Sequence, residues 1–177
     1  SNVTNMASMF KQATLFNKAI ETWNVGKVTD FSEMFEEAEA FNQPLANWNT
    51  ESAIKMWDMF EGAIAFNQPI NTWNVALVVD TEDMFMDATS FNQPLNNWEV
   101  VSVTNMESMF ERATVFNQPL NDWDVSSALT MVSMFEEATA FNQPLNKWNV
   151  EAITSMEAMF LEASAFDQDI SDWNVSN

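Results

Sequence analysis

The sequence predicts an α/β repeat protein: a single curved solenoid of seven units, each holding one short parallel strand and one short helix. Three observations predict it. Tryptophan recurs at Trp23, Trp48, Trp73, Trp98, Trp123, Trp148 and Trp173, every step being 25 residues without insertion or deletion. Within each unit Met6, Met9, Phe10, Ala13 and Phe16, or their equivalents, fall at i, i+3, i+4, i+7 and i+10, the apolar stripe of an amphipathic helix. Between stripes runs the pattern L-x-x-W-x-V-x-x-V, as in Leu95, Trp98, Val100 and Val103, whose alternation at Trp-x-Val reads as a strand.

The period divides the single domain 1–177 into repeats 1–25, 26–50, 51–75, 76–100, 101–125, 126–150 and 151–175. The columns headed by Met9, Phe10, Ala13 and Phe16 hold the same residue in all seven copies, as stacked units that bury one face against each other require. The residue before each stripe is Asn5, Asp30, Lys55, Asp80, Asn105, Thr130 or Ser155. All but Lys55 carry a short side-chain oxygen that can accept from the free N–H groups of a first helical turn. Pro44, Pro69, Pro94, Pro119 and Pro144 then end the helix near Phe16 and its equivalents, since proline lacks an amide hydrogen and restricts the residue before it. Strands stack at roughly 4.8 Å and helices at roughly 8–10 Å, so the array is expected to curve with its strands inside.

Six basic residues against 26 acidic ones give a net charge of -20, which repels nucleic-acid backbones and anionic lipid heads. The longest aliphatic run, Val75-Ala76-Leu77-Val78-Val79, is far too short to cross a bilayer, and no charged leader precedes an apolar run. Cysteine and histidine are both absent, which removes disulfides, thiolate metal sites and every histidine-based nucleophile arrangement. With Gly26 and Gly62 the sole glycines and no D-x-D-x-D-G loop, a dedicated calcium site is not expected either, which leaves weak, nonspecific calcium association as the open alternative. No catalytic residue, cofactor or specific metal site is expected. The acidic columns containing Glu36, Glu61, Glu111 and Glu136, with Glu37, Asp87, Glu137 and Glu162 beside them, read as a solvated helix face.

The strings FNQPLNNWEVVSVTNMESMF (91–110) and FNQPLNKWNVEAITSMEAMF (141–160) resemble the tandem repeat of BspA-like bacterial surface proteins and mycoplasma-type lipoproteins, and the resemblance covers the whole chain. It implies a right-handed, leucine-rich-repeat-like solenoid exposed outside the cell, with adhesion or recognition as its role and no enzymatic activity. It supplies no functional residues. Lys18-Ala19 in the first copy and Asp167 and Asp169 in the last depart from the pattern, as does Thr50.

Columns that change while the scaffold stays fixed are the candidates for binding. One reads Thr4, Thr29, Ile54, Val79, Thr104, Leu129, Thr154; a second Asn2, Lys27, Ser52, Leu77, Ser102, Ser127, Ala152; a third Ala7, Ser32, Trp57, Glu82, Glu107, Val132, Glu157. Polar or small residues are the rule there. Ile54, Trp57, Leu77, Val79, Leu129 and Val132 are the large apolar exceptions, and if their polar counterparts face water they form an exposed cluster suited to binding, with Trp57 as its anchor. Drift at solvated positions is the competing explanation.

The sequence thus points to a recognition module whose partner is a protein or a cell-surface glycan. The alternative is a stalk or filament segment that self-associates end to end. Ser176-Asn177 are in phase with Ser1-Asn2, no capping unit is evident, and the first repeat is slightly basic while the last holds six acids and no base. A segment of a longer surface protein would have the same ends. A remote third reading is ice binding, motivated by Thr4, Thr29, Thr104 and Thr154 in one column.

Overall fold

The computed structural model describes residues 2–176; Ser1 and Asn177, and with them part of the in-phase match of the two ends, lie outside the described residues. The repeats are stacked as successive layers, layer 1 to layer 7, in the 25-residue register. Six parallel bridges, Asn5 to Asp30, Asp30 to Lys55, Lys55 to Asp80, Asp80 to Asn105, Asn105 to Thr130 and Thr130 to Ser155, thread one column through all seven. Each bridge is a single residue, and among the described residues there is no helix and no longer strand. The expected solenoid with a helix and a strand in every repeat is therefore incorrect. With it goes the likeness to a leucine-rich repeat, and the curvature argued from unequal helix and strand spacing has no basis.

Tight turns take the place of the helix. The N–H of Met9 bonds the carbonyl of Met6, Ala13 that of Phe10, Phe16 that of Ala13, Trp23 that of Ile20 and Val28 that of Val25, and the same closures recur along the chain. Every one of these pairs is three residues apart and apolar. The i, i+3 spacing that suggests a helical stripe is thus the spacing of the two ends of a β-turn, both directed into the core. L-x-x-W and V-x-x-V are likewise turns rather than strand.

Two residues per layer hold the backbone out of the helical region. Ser8, Glu33, Asp58, Asp83, Ser108, Ser133 and Ala158 have φ between 49° and 57°, and Gln12, Glu37, Gly62, Asp87, Arg112, Glu137 and Glu162, four residues on, lie between 53° and 62°. At the third position of a turn a left-handed residue reverses the chain, at a cost of about 1–2 kcal/mol for a side chain other than glycine. The compensation is a set of bonds between layers. At every one of the six junctions four N–H groups donate to the next layer, as Met56 does to Asp80, Asp58 to Glu82, Phe60 to Met84 and Gly62 to Met86 at 2.8–3.2 Å. The intervening N–H groups of Met59, Glu61 and Ala63 close the local turns, so these seven backbone donors are satisfied without a helix.

Inside the layers lie three aromatic columns. Phe10, Phe35, Phe60, Phe85, Phe110, Phe135 and Phe160 stack at 5.5–5.7 Å, and the column from Phe16 to Phe166 at 5.8–6.1 Å. Within a layer the two rings approach to 4.0–4.2 Å. Trp48, Trp73, Trp98 and Trp123 form the third column at 6.2–6.5 Å. Each indole from Trp48 to Trp173 donates to the carbonyl 28 residues earlier at 3.0–3.2 Å, which offsets the cost of burying its N–H. The Met and Ala columns fill the space between. Burying each phenylalanine contributes about 1.5–3 kcal/mol.

Two polar columns hold the remaining turns. The Oδ1 of Asn17 accepts from the backbone N–H of Asn42 at 3.1 Å and from Gln43 Nε2 at 2.7 Å, and this pairing repeats from Asn42, Asn67, Asn92, Asn117 and Asn142. Asn24, Asn49, Asn74, Asp124, Asn149 and Asn174 each accept from the N–H two residues on, the Asx-turn that starts the next layer.

Two substitutions test this architecture. Ser133→Gly is expected to leave the protein as stable as before or to stabilise it by about 1 kcal/mol, because glycine relieves the left-handed strain, whereas in a helix it would destabilise by about 1 kcal/mol. Phe85→Ala, which opens a gap in a fully buried column, is expected to cost about 3–5 kcal/mol. Thermal or denaturant unfolding measures both.

Candidate functional site

The outward columns follow from the turn pattern. Val78 and Ala128 point inward, so the adjacent Leu77 and Val79, and Leu129 after Ala128, are turned to the surface. Of the six binding candidates, Ile54, Leu77, Val79 and Leu129 are 41, 56, 38 and 50% exposed. Ile54 and Val79 sit in adjacent layers, joined by the bond from the Val79 N–H to the Ile54 carbonyl at 2.9 Å. Leu77 lies two residues before Val79 on the same surface, so these three form one strip. Leu129 stands apart from it, with Thr104 in the layer between: the Thr104 N–H bonds Val79 and the Leu129 N–H bonds Thr104.

Trp57 and Val132 are half-buried, not solvent-facing. Their column lies among the left-handed turns, where its carbonyls accept the bonds of the preceding layer, as Trp57 does from Glu33 and Val132 from Ser108. Ser32, in the same column, is fully covered. The expectation of an exposed tryptophan anchor is therefore corrected. Val101, exposed on the column next to Leu77's, belongs beside the strip and falls outside the three columns singled out from sequence; its apolar character, where the equivalents are Gly26, Glu51, Ala76, Ser126 and Glu151, is the signal that could have found it.

The column that reads as helix caps keeps that chemistry in a different setting. Asn5, Asp30, Asp80, Asn105, Thr130 and Ser155 accept from the N–H two residues later at 2.8–3.4 Å. Lys55 offers no such oxygen to Trp57. In the threonine column the hydroxyls of Thr29, Thr104 and Thr154 are turned along the ladder, donating to the carbonyls of Thr4, Val79 and Leu129.

The acidic columns lie on stacked turns rather than on a helix and are solvated only in part: Glu37 and Glu162 are exposed. Glu36 and Glu111 are buried, and Asp58, Glu61 and Asp83 half-buried, on the surface of the turn stack. Carboxylate oxygens of Glu33, Glu36 and Asp58 lie within 4.8 Å of one another. The Lys11 ammonium reaches Glu33 Oε2 at 2.7 Å and Glu36 Oε2 at 2.6 Å; the latter oxygen takes no well-angled hydrogen bond and is compensated by that charge. At the far side of the patch Arg112 pairs with Asp87 through two bonds of 2.8 Å and with Glu111. Between these cations burial, then the neighbouring carboxylates Glu61, Asp83, Glu36 and Glu82, push Asp58 up to about 7. Burial followed by Glu36 and Asp83 raises Glu61 to about 7, and burial followed by Glu82 and Glu111 raises Asp83 to about 6. Glu33 moves the other way, held down by its bonds to Lys11 and Ser8.

Layers of tight turns joined by a fixed hydrogen-bond register, around aromatic columns, define a tandem-repeat protein whose surface varies over a core that changes little from layer to layer. The chain belongs to the family described as "Mycoplasma protein of unknown function, DUF285", whose model matches residues 1–98 and again 84–177. It matches none of the curated proteins with which it was compared.

The raised carboxyls set the pH dependence of stability. Unfolded, Asp58, Glu61 and Asp83 lose their protons near their ordinary values of 3.8 to 4.5, while the folded chain holds them to about 6–7. Across that interval the folded state binds more protons, so stability falls as pH rises. Glu33 opposes this only below its unfolded value, where its ion pair is lost. The thermal midpoint is expected to rise as pH is lowered from about 8 to about 5.5, and the rise is expected to shrink in Asp58→Asn.

Proposed function

We propose that the chain is a non-catalytic recognition module, a solenoid that binds a protein through the exposed strip of Ile54, Leu77 and Val79. The single observation carrying this is the position of those three side chains. They stand together on columns whose other members, Leu129 and Ala152 apart, are threonine, serine, lysine or asparagine, and an apolar cluster ringed by polar groups is the usual centre of a protein interface. An apolar strip favours a protein over a glycan as partner, and the net charge of -20 favours one that is basic. The likeness of residues 91–110 and 141–160 to BspA-like bacterial surface repeats supports a place outside the cell and a part in adhesion.

Selection of displayed random peptides on the intact chain, with counter-selection on the triple variant Ile54→Ser, Leu77→Ser, Val79→Ser, tests the reading. Enriched peptides are expected to combine apolar and basic residues and to bind the native chain about tenfold or more tighter than the variant, with no change in the variant's unfolding midpoint. Equal affinity for the two proteins would remove the strip as the binding surface.

A further inference from the structure

The turns around the tryptophans raise two polar ridges on one side of the stack. The N–H of Trp73 bonds the carbonyl of Ile70, that of Trp98 the carbonyl of Leu95 and that of Trp123 the carbonyl of Leu120. These turns direct Thr72, Asn97 and Asp122 outward on one ridge and Asn74, Glu99 and Asp124, just past each tryptophan, on the other; all are exposed. Between the ridges lie hollows of about 380, 360 and 250 Å³, one at each junction from layer 3 to layer 6. Asn97 and Glu99 line the first two and Asp122 and Asp124 the last two, so the hollows run together into one trough. We infer that this trough binds a linear neutral glycan, laid along the stack across the three hollows.

The groups along the trough are held in place by one atom and open at another. The Oδ1 of Asn74 and that of Asn149 accept from the N–H two residues on at 3.0 and 3.1 Å, and the Oδ1 of Asn97 accepts from the Asn96 amide at 3.2 Å. Each carboxamide is thereby anchored. Among the described residues, the Nδ2 of these three asparagines donates to no other group of the chain, and the Glu99 carboxylate accepts from none. Asn97 and Glu99 stand on opposite ridges of the same two hollows, which sets a fixed donor across from an acceptor.

That pairing selects the chemical class of the ligand. A hydroxyl donates and accepts at once, so neighbouring hydroxyls on a sugar ring match an amide donor beside a carboxylate acceptor. Because the asparagines are already oriented, little side-chain freedom is lost on binding. The hollow recurs at successive junctions with the same kinds of group, which suits a ligand that also repeats. A sugar polymer repeats in this way, whereas a peptide docks through pockets cut for particular side chains. Charge narrows the class further. Glu99, Asp122 and Asp124 outweigh Lys147, whose ammonium is held by Asp122 at 2.6 Å, and that excess repels uronate or sulfated chains. The apolar strip lies beyond this ridge, Leu77 being three residues past Asn74, so the two surfaces act separately.

Isothermal titration of the intact chain with neutral glucan and mannan oligomers of increasing length, and with uronic-acid oligomers of the same lengths, is the test. Affinity for one of the neutral series is expected to rise about tenfold or more from the shortest oligomer to one that spans the trough. The double variant Asn97→Ala, Glu99→Ala is expected to weaken the longest oligomer about tenfold or more. Both side chains are exposed, and the unfolding midpoint checks that the variant folds as the native chain does. The variant Ile54→Ser, Leu77→Ser, Val79→Ser is expected to bind the oligomer as the native chain does, which separates this site from the strip. A native chain that takes up no neutral oligomer at millimolar concentration overturns the inference. So do equal binding of the uronic-acid series, undiminished binding by the double variant, and loss of binding in the strip variant.

Discussion

The division of backbone N–H groups between a layer's own turns and the next layer underlies the rest of the structure. Around Phe60, alternate donors close local turns while those between them reach forward to Asp80, Glu82, Met84 and Met86. Neither set is sufficient alone. An isolated run of turns with two left-handed residues would be strained, and a ladder without the turns would leave half of its donors unpaired in a packed interior. Joined, they fix the orientation of every side chain, because residues at turn ends face inward and those between them face out.

That constraint explains why the inward columns hardly vary and the outward ones do. A phenylalanine at 35, 60 or 85 touches its counterpart above and below, so an altered ring disturbs three layers. A residue such as Leu77, more than half exposed, projects from the surface, and the ladder beneath is indifferent to it. Acidic residues occupy one such surface up to the point where burial and mutual repulsion raise Asp58 and Glu61 out of the usual carboxylate range, with Lys11 and Arg112 as the charges that hold its two margins.

Period, register and core membership were legible because they depend on residue identity alone: Trp, Phe, Met and Ala recur at fixed positions and are buried. The accepting role of the Asn5 column was legible too, since short side-chain oxygens satisfy backbone donors in a turn as in a helix. The helix was misread because its spacing coincides with that of successive turns, and because the residues that break it are disguised. Left-handed positions usually show glycine or asparagine, yet here they hold Ser, Asp, Glu, Gln, Arg and Ala, with Gly62 the one glycine in fourteen. The misplacement of Trp57 had a different source: the small and acidic residues of its column suggested a solvated position, yet that column lies among the left-handed turns and is partly covered.

Sameness at every junction has a consequence for how such a chain changes length. Each layer presents four donors on one side and four acceptors on the other, irrespective of its neighbours. Excising a block of 25 residues anywhere rejoins matching faces, and duplicating one inserts a layer that fits at once. Loss of a single residue instead misaligns the inward side chains and ladder donors of the layer that holds it against the layers on either side. Whole-unit gain and loss are thereby tolerated while frame-preserving small deletions are not, and the reach of the molecule is adjustable in steps of one layer.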